Sequence, residues 1–523
     1  MDEISPNRSK TSNSRMTVGL LLASLHTGAS QIIWPSMADS AERHDINLIC
    51  FPGGRLQAMD SFEIQRNAIF DLASNKSLDG LITWSSSLGG VLGPAEIRAF
   101  HQRYQMLPMV SLAQFMEGMP TVSVDSYLGM RALLAHLIEE HGFRKLAFMR
   151  GPEEHYYAQE RYRAYLDSLQ ALGLPLIPEL ITRPLPWEAG VEAIEILLDE
   201  RGLKPGKDFH AVVAVSDMMA VWAMKTLQTR GFEVPGDVAV TGFNNSIEER
   251  LATPPLTTVD LPFYEQASKA MDVLVQQLSG ESVAALITLP SKLVVRQSCG
   301  CPSAAIALAS FSPPDESGKG RGERKLEEVR AGCVAEMGTA TGLNPQKLGE
   351  WLDSLFDMFN QDIQDSSNKF LSVLNNVLDQ AMRAGYDILG WQNALSILRQ
   401  WVLQYVPGAQ RTHVEVLISQ ARVVVEEAVQ RSQAYSQWKT DREAEHLREI
   451  NRALLTTFDA RQLTDVLAER LSSLGIPSVY LVTYEQPTDA GVPEYARLML
   501  AYSDQKRMLI EQSGLRFLTH EII

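Results

Sequence analysis

From Met16 to about residue 300 the sequence alternates short apolar runs with amphipathic helical patterns, and this alternation limits the fold more than any other feature. The runs MTVGLLLASL, INLICFPG, GLITWSSS, PMVSL and TVSVD read as strands, separated by helical stretches at 32–44, 61–77 and 94–104. A strand that is apolar throughout needs cover on both faces, so the series predicts a parallel sheet with helices on either side. A second series follows, with helices at 127–141, 158–172, 187–201, 218–230 and 263–278. Its strands are KLAFMRG, PELITRPL, HAVVAVSD, DVAVTGF, ALITLP and SKLVVRQS. Two such α/β sheets in succession predict two similar lobes. Ligands of open α/β sheets bind beyond the carboxyl ends of the strands, so facing lobes enclose a cleft.

At 523 residues the chain is long enough for several domains, and its 45% hydrophobic and 21% charged residues are those of a globular protein. A net charge of −16 does not suit broad contact with a nucleic-acid backbone, although it leaves room for a local basic patch. Four cysteines make no disulfide framework. Cys299 and Cys301 form a C-x-C pair that lacks the second half of a zinc site, so free thiols are expected, with no metal and no cofactor. Residues 1–15 are polar, read as disordered, and lack the apolar core of a signal peptide. With no long apolar run to span a bilayer, a cytoplasmic protein is expected.

Beyond the lobes the pattern changes. Residues 306–330 are rich in Pro, Gly, Ser and charge and read as a linker. Residues 331–458 read as an all-α bundle ending in a signalling helix, with Asn344 capping a helix that opens on Pro345. Further helices are expected at 366–384, 390–405 and 409–450. The last carries Leu447, Ile450, Leu454 and Phe458 at steps of three and four, which fits a parallel coiled coil or an ordinary amphipathic helix. From Asp459, an expected N-cap, a helix and two strands open a further domain, 459–523, that stops short of a closed core and reads as a fragment.

Several stretches in order carry a family resemblance: VSVDSYLGMRALLAHLIEEHGFRKLAFMRG, ERYRAYLDSLQALGLP, AVSDMMAVWAM, VPGDVAVTGFNNS with TPPLTTV, and LVVRQSCG. Residues 16–305 resemble the ligand-binding domain of the LacI/GalR family, a two-lobed periplasmic-binding-protein type I fold. The resemblance implies crossovers between lobes near residues 125, 255 and 290, a hinge at Pro254 and Pro255, and a homodimer. It implies a small polar ligand, a sugar or nucleoside, held from the second lobe by Arg161, Asn244, Asp217, Ser216 and Trp187, with Asp125 at the crossing. From the first lobe it implies His26, Thr27, Ser85 and Ser86. Ser216 stands where many relatives have Asn. Family repressors also carry a helix-turn-helix before the sensor, whereas only fifteen polar residues precede Met16 here. Residues 446–523 are similar to the start of a GAF domain.

No P-loop, nucleophile elbow, H-E-x-x-H or strand-following G-x-G-x-x-G occurs, so no enzyme is expected. The first expectation is a signal-transduction sensor that relays lobe closure through helices to an output domain or partner. The alternatives are a LacI-type DNA-binding transcriptional regulator and a scaffold that binds no ligand.

Overall fold

The structure, a computed structural model, describes residues 15–26, 28–56, 61–89, 92, 94–246, 252–302, 304–309, 329–341, 345–365, 369–384, 386–455, 463–468, 476–484, 493–503, 506–508, 510–511 and 513–521. These form two compact units, one ending at Cys301 and the other beginning at Pro302, each also taking short stretches beyond Leu481. The expectations for Thr27, Asn344, Leu454, Phe458 and Asp459 lie outside the described residues or side chains.

Eleven strands of the first unit position the site: β1 (Thr17–Leu22), β2 (Asn47–Pro52), β3 (Gly80–Thr83), β4 (Met109–Leu112), β5 (Thr121–Val124), β6 (Leu146–Met149), β7 (Ala211–Ala214), β8 (Ala239–Thr241), β9 (Thr258–Asp260), β10 (Leu286–Leu289) and β11 (Lys292–Val294). The first lobe is a six-stranded parallel sheet in the order β10-β5-β4-β3-β1-β2. Its strands are almost continuously apolar, and Val18, Leu20, Leu21, Leu22, Leu81 and Ile82 have no exposed surface. The second lobe is a parallel sheet in the order β6-β7-β8. The helix Phe263–Leu278 packs on β3, β4 and β5 and on the helix Ser30–Arg43, so the chain returns to the first lobe before β10. Both helices bury small residues, Ser36 and Ser40 on one and Ala267 and Ala270 on the other.

Local departures from the sequence reading have local causes. The helix expected at 61–77 stops at Arg66 and tightens into a 3₁₀ segment, Asn67–Leu72. PELITRPL makes a 3₁₀ turn, Pro178–Leu180, with one bridge from Ile181 to Phe148, because Pro178 and Pro184 withhold the N–H groups that a full strand would pair. The serines after β3 wind into a short helix, Ser85–Gly89.

The chain leaves the first sheet after Val124, returns between Asp260 and Phe263, and departs again after Leu289. The two later crossings run side by side, since β9 pairs antiparallel with β11. Pro254 and Pro255 are not at a crossing. The Pro255 carbonyl accepts from the Gln297 and Ser298 amides (3.1 and 3.0 Å), and Gly242 N–H donates to Thr257 O at 3.0 Å, which ties this segment to β8. The proline pair therefore lies within the second lobe, and the chain crosses back to the first at Asp260–Phe263.

The second unit contains the helices Arg330–Thr341, Pro345–Asp365, Lys369–Arg383, Trp391–Tyr405 and Gly408–Leu455. Phe356, Phe359, Phe370, Leu398 and Ile418 are among the side chains of their common core. The carboxylate of Asp362, fully buried, accepts from the Lys369 and Phe370 amides (3.1 and 2.8 Å) and caps the next helix from outside it. On the 48-residue helix, Leu447 is 50% exposed while Ile450 is buried. The last strands pair antiparallel, Tyr502 with Arg507 and Tyr495 with Leu518. Among the described residues, no helix is long and apolar enough to cross a membrane.

Burial also places a titratable group inside the first lobe. His101 is 3% exposed with its Nε2 2.9 Å from Thr83 Oγ1, and desolvation pushes its pKa down to about 4. Unfolded, the ring protonates near its ordinary value, so between the two pKa values the unfolded chain binds the extra proton and acid favours unfolding. Stability is expected to fall by about 2 kcal/mol from pH 7 to pH 5 through this group alone. Thermal melts at both pH values should show a smaller decline for His101→Gln than for the native chain.

Candidate functional site

Between the two lobes of the first unit lies a cavity of about 840 Å³. Ser24, Trp84, Ser86 and Ser87 line it from the first lobe, and His155, Arg161, Trp187, Ser216 and Asn244 from the second. Its second-lobe groups stand at the carboxyl ends of β6, β7 and β8, where an open α/β sheet presents its binding edge.

Arg161 is the central group. The helix Tyr156–Ala171 buries Tyr157, Ala158, Ala164, Tyr165 and Leu169, and Arg161 falls on that same inward stripe, 3% exposed. Its guanidinium donates to the Val215 carbonyl beyond β7, to Asn244 Oδ1 (3.1 Å) and to Ser126 Oγ (3.5 Å), and it lies 4.0 Å over the Phe243 ring. Nε has no hydrogen-bond partner. Burial lowers the Arg161 pKa to about 9, opposed by electrostatic interaction with Tyr157 and Asp217, so the group stays cationic at neutral pH. A buried cation held by a carbonyl, an amide and a hydroxyl has donor capacity left for a ligand.

The two asparagines after β8 divide the work. Asn244 (φ 125°) and Asn245 (φ 59°) both adopt left-handed backbone conformations, which Asn accepts more readily than most side chains. Asn244 N–H donates to Val259 O at 2.9 Å while its amide lines the cleft beside Arg161. Asn245 donates to Asp260 Oδ1 and accepts from Arg296, both at 2.7 Å, and so ties the end of β8 to two crossing segments.

Two aromatic groups complete the second-lobe wall. The Trp187 ring meets the His155 ring edge-to-face at 4.8 Å. Desolvation and then the Arg161 charge push the His155 pKa down to about 3, leaving a neutral imidazole whose Nδ1 has no hydrogen-bond partner. The sequence reading missed His155, six residues before Arg161. At the cleft floor, the Tyr157 hydroxyl donates to Ala113 O (2.7 Å) and accepts from Val124 N–H (3.3 Å), joining the second-lobe helix to the first lobe.

The structure gathers Arg161, Asn244, Ser216, Trp187 and Ser86 around the cavity. Ser216 also caps the helix Asp217–Thr229, accepting from Met219 N–H at 3.2 Å. Four expected ligand groups lie outside the cavity lining. Asp217 is fully buried and accepts from the Thr258 hydroxyl (2.6 Å) and the Ser246 amide (3.0 Å). It fits only because residue 242 is glycine: a Cβ there would stand 2.3 Å from Asp217 Oδ1. Asp125 caps the helix Ser126–Ala135 through Leu128 N–H (2.8 Å) and borders a separate hollow of about 250 Å³. Ser85 is buried against Ser111 Oγ at 2.8 Å. The His26 side chain is exposed and outside the cavity lining, which is formed there by Ser24 and Gly28–Ile32. Among the described residues, one group of side chains could hold a metal, and it lies outside the cleft.

Residues 134–299 match the periplasmic binding protein-like domain family. The HTH-type transcriptional repressor CytR of Escherichia coli (strain K12) is 31% identical over 222 residues, 42% of this chain and 62% of that protein. The HTH-type transcriptional regulator CelR of Thermobifida fusca is 32% identical over 184 residues, 35% of this chain and 52% of that one. Catabolite control protein A of Priestia megaterium is 27% identical over 301 residues, 56% of this chain and 84% of that one. A solved CelR–cellobiose complex aligns at 24% identity with a TM-score of 0.46, over 54% of this chain and 85% of that one. The chain thus spans under two thirds of the length of CytR and of CelR. The similarity thus falls on the first unit, whose residues 134–299 resemble a periplasmic-binding-protein-like domain.

The geometry separates a buried brace, Asp217, from a residue of the cavity wall, Ser86. Asp217→Ala removes the acceptor of a buried hydroxyl and an amide, and is expected to destabilise the first unit by about 2–3 kcal/mol. Ser86→Ala, at the half-exposed cavity wall, is expected to change stability by less than about 0.5 kcal/mol. Urea unfolding of the two variants checks the contrast.

Proposed function

We propose that the first unit closes on a small polar ligand of the sugar or nucleoside class, and that the chain is a ligand-responsive transcription regulator. The observation that carries the ligand reading is Arg161, a buried cation at the carboxyl edge of the second sheet that lines a cavity walled by both lobes. Hydroxyl-rich rings supply clustered acceptors for such a fork and an apolar face for Trp187 or Trp84. Ser86, Ser87 and Asn244 add short polar arms from both sides of the cleft. A ligand that contacts both lobes binds the closed state better than the open one, so it shifts the population toward closure.

For the output, the relatives' names favour transcription control over the signal relay expected first, since CytR and CelR are both named as HTH-type transcriptional regulators or repressors. A net charge of −16 confines any DNA contact to a local basic patch or to a partner. The relay reading keeps one supporting observation, the 48-residue helix Gly408–Leu455. In that reading residues 331–458 transmit the signal, as a dimer, to a GAF-like domain at 459–523 or to a partner. Neither reading makes the chain an enzyme.

The test is a thermal melt of the whole chain against a panel of sugars, sugar phosphates and nucleosides, with Arg161→Ala beside it. A ligand at a hundred times its dissociation constant adds about 2.7 kcal/mol, a shift of a few degrees. The expected result is a shift for one compound class, lost in the variant. No shift from any compound would support the scaffold reading instead. Gel shift on DNA upstream of the gene, with and without the active compound, then separates regulator from relay: a ligand-sensitive band supports the first and its absence the second.

A further inference from the structure

Away from the cleft, the second lobe brings together two pairs of side chains that lie far apart in sequence: His136 and His141 with Cys299 and Cys301. The geometry points to a structural zinc site formed by these two imidazoles and two thiolates. Zinc in such a site has four protein ligands at tetrahedral corners, with Zn–N of about 2.0–2.1 Å and Zn–S of about 2.3 Å. Those lengths give a tetrahedron with N···N edges of about 3.3 Å and N···S edges of about 3.6 Å. In the structure the two imidazole Nε2 atoms are 3.3 Å apart. Cys299 Sγ is 3.5 Å and Cys301 Sγ 3.7 Å from His136 Nε2, and Cys301 Sγ is 3.3 Å from His141 Nε2. The two remaining edges, both to Cys299, lie within 4.8 Å, a gap that a side-chain rotation closes.

The backbone is shaped for this set. His136 and His141 flank a π-helical turn, His136–Glu140, and hydrogen bonding to the fifth residue onward is what carries side chains five apart to one side. Gly300 between the cysteines has φ 106°, a conformation that costs other residues energy and that turns both thiols toward the histidines. The His141 ring is stacked on Phe143 at 5.3 Å, which fixes its orientation. Cys299 is buried and the other three groups are half-buried.

The electrostatics fit as well. Binding replaces the two thiol protons, which leave to solvent, with one divalent ion. Two thiolates and two neutral imidazoles then balance the ion to zero net charge, so a half-buried site carries no uncompensated charge. Two sulfur and two nitrogen donors in a tetrahedron favour zinc over the oxygen-seeking divalent ions. With all four positions filled by protein, no corner is open for substrate, and the role is structural. The ion would join the segment that follows β11, at the third crossing, to the π-helical turn that continues the helix Ser126–Ala135 from the first crossing.

The experiment uses the whole chain, untagged, purified under reducing conditions and dialysed. Elemental analysis is expected to find one zinc per chain, lost in Cys301→Ser and in His136→Ala but retained in Cys333→Ser, whose thiol lies in the second unit. Replacing zinc with cobalt(II) should give thiolate-to-metal charge-transfer absorption and the intense ligand-field bands of a tetrahedral ion. Absence of bound zinc even after titration, or full zinc content in Cys301→Ser, would overturn the assignment. Should the variants aggregate, the native cobalt spectrum decides alone: a weak octahedral spectrum without charge transfer rejects the site.

Discussion

A positive charge buried among apolar rings sets the terms for the second lobe. Removing a guanidinium from water is costly unless its donors are met, and Arg161 meets them with groups drawn from separate segments: the carbonyl beyond β7, the amide beyond β8 and a hydroxyl at the first crossing. None of these three acceptors is charged. The compensating field comes from Asp217, which is itself held by Thr258 and Ser246. The cation thus depends on the ends of two strands and on the segment that returns to the first lobe, and a shift in any of them changes what Arg161 can offer to a ligand.

This dependence explains which parts of the site were legible in the sequence. Alternating apolar runs specify two covered parallel sheets, because no other arrangement buries strands that are apolar on both faces. Arg161 and Asn244 were found through motif order, and physical signals agree: an arginine on the buried stripe of a helix, and paired asparagines where the backbone must turn left-handed. Asp217 occupies the same kind of strand-end position, yet its direction is set by the space that Gly242 leaves, and no spacing rule carries that information. Ser85 and Ser86 are neighbours that diverge because the segment is helical, so successive side chains point about 100° apart. One meets Ser111 in the core and the other the cavity.

Long-range juxtapositions were the least legible. C-x-C read as half a ligand set because its counterpart lies 160 residues earlier, across a π-helical turn that local propensity does not announce. The proline pair lies off the crossing for a related reason. Proline stiffness is a local property, whereas the place where a chain changes lobes follows from which carbonyls its neighbours have claimed, and Pro255 O is claimed by the second lobe.

The Tyr157 hydroxyl bears on how selective such a cleft can be. A phenol that donates once and accepts from an amide and a serine has its bonding capacity filled, and desolvation holds its pKa up at about 12, so it stays protonated. Its bonds reach across from one lobe to the other, so the separation of the lobes beside it is set by the lengths of those bonds. Any ligand that the cleft takes up, as proposed, has to fit the spacing between the lobes that these bonds set beside Tyr157.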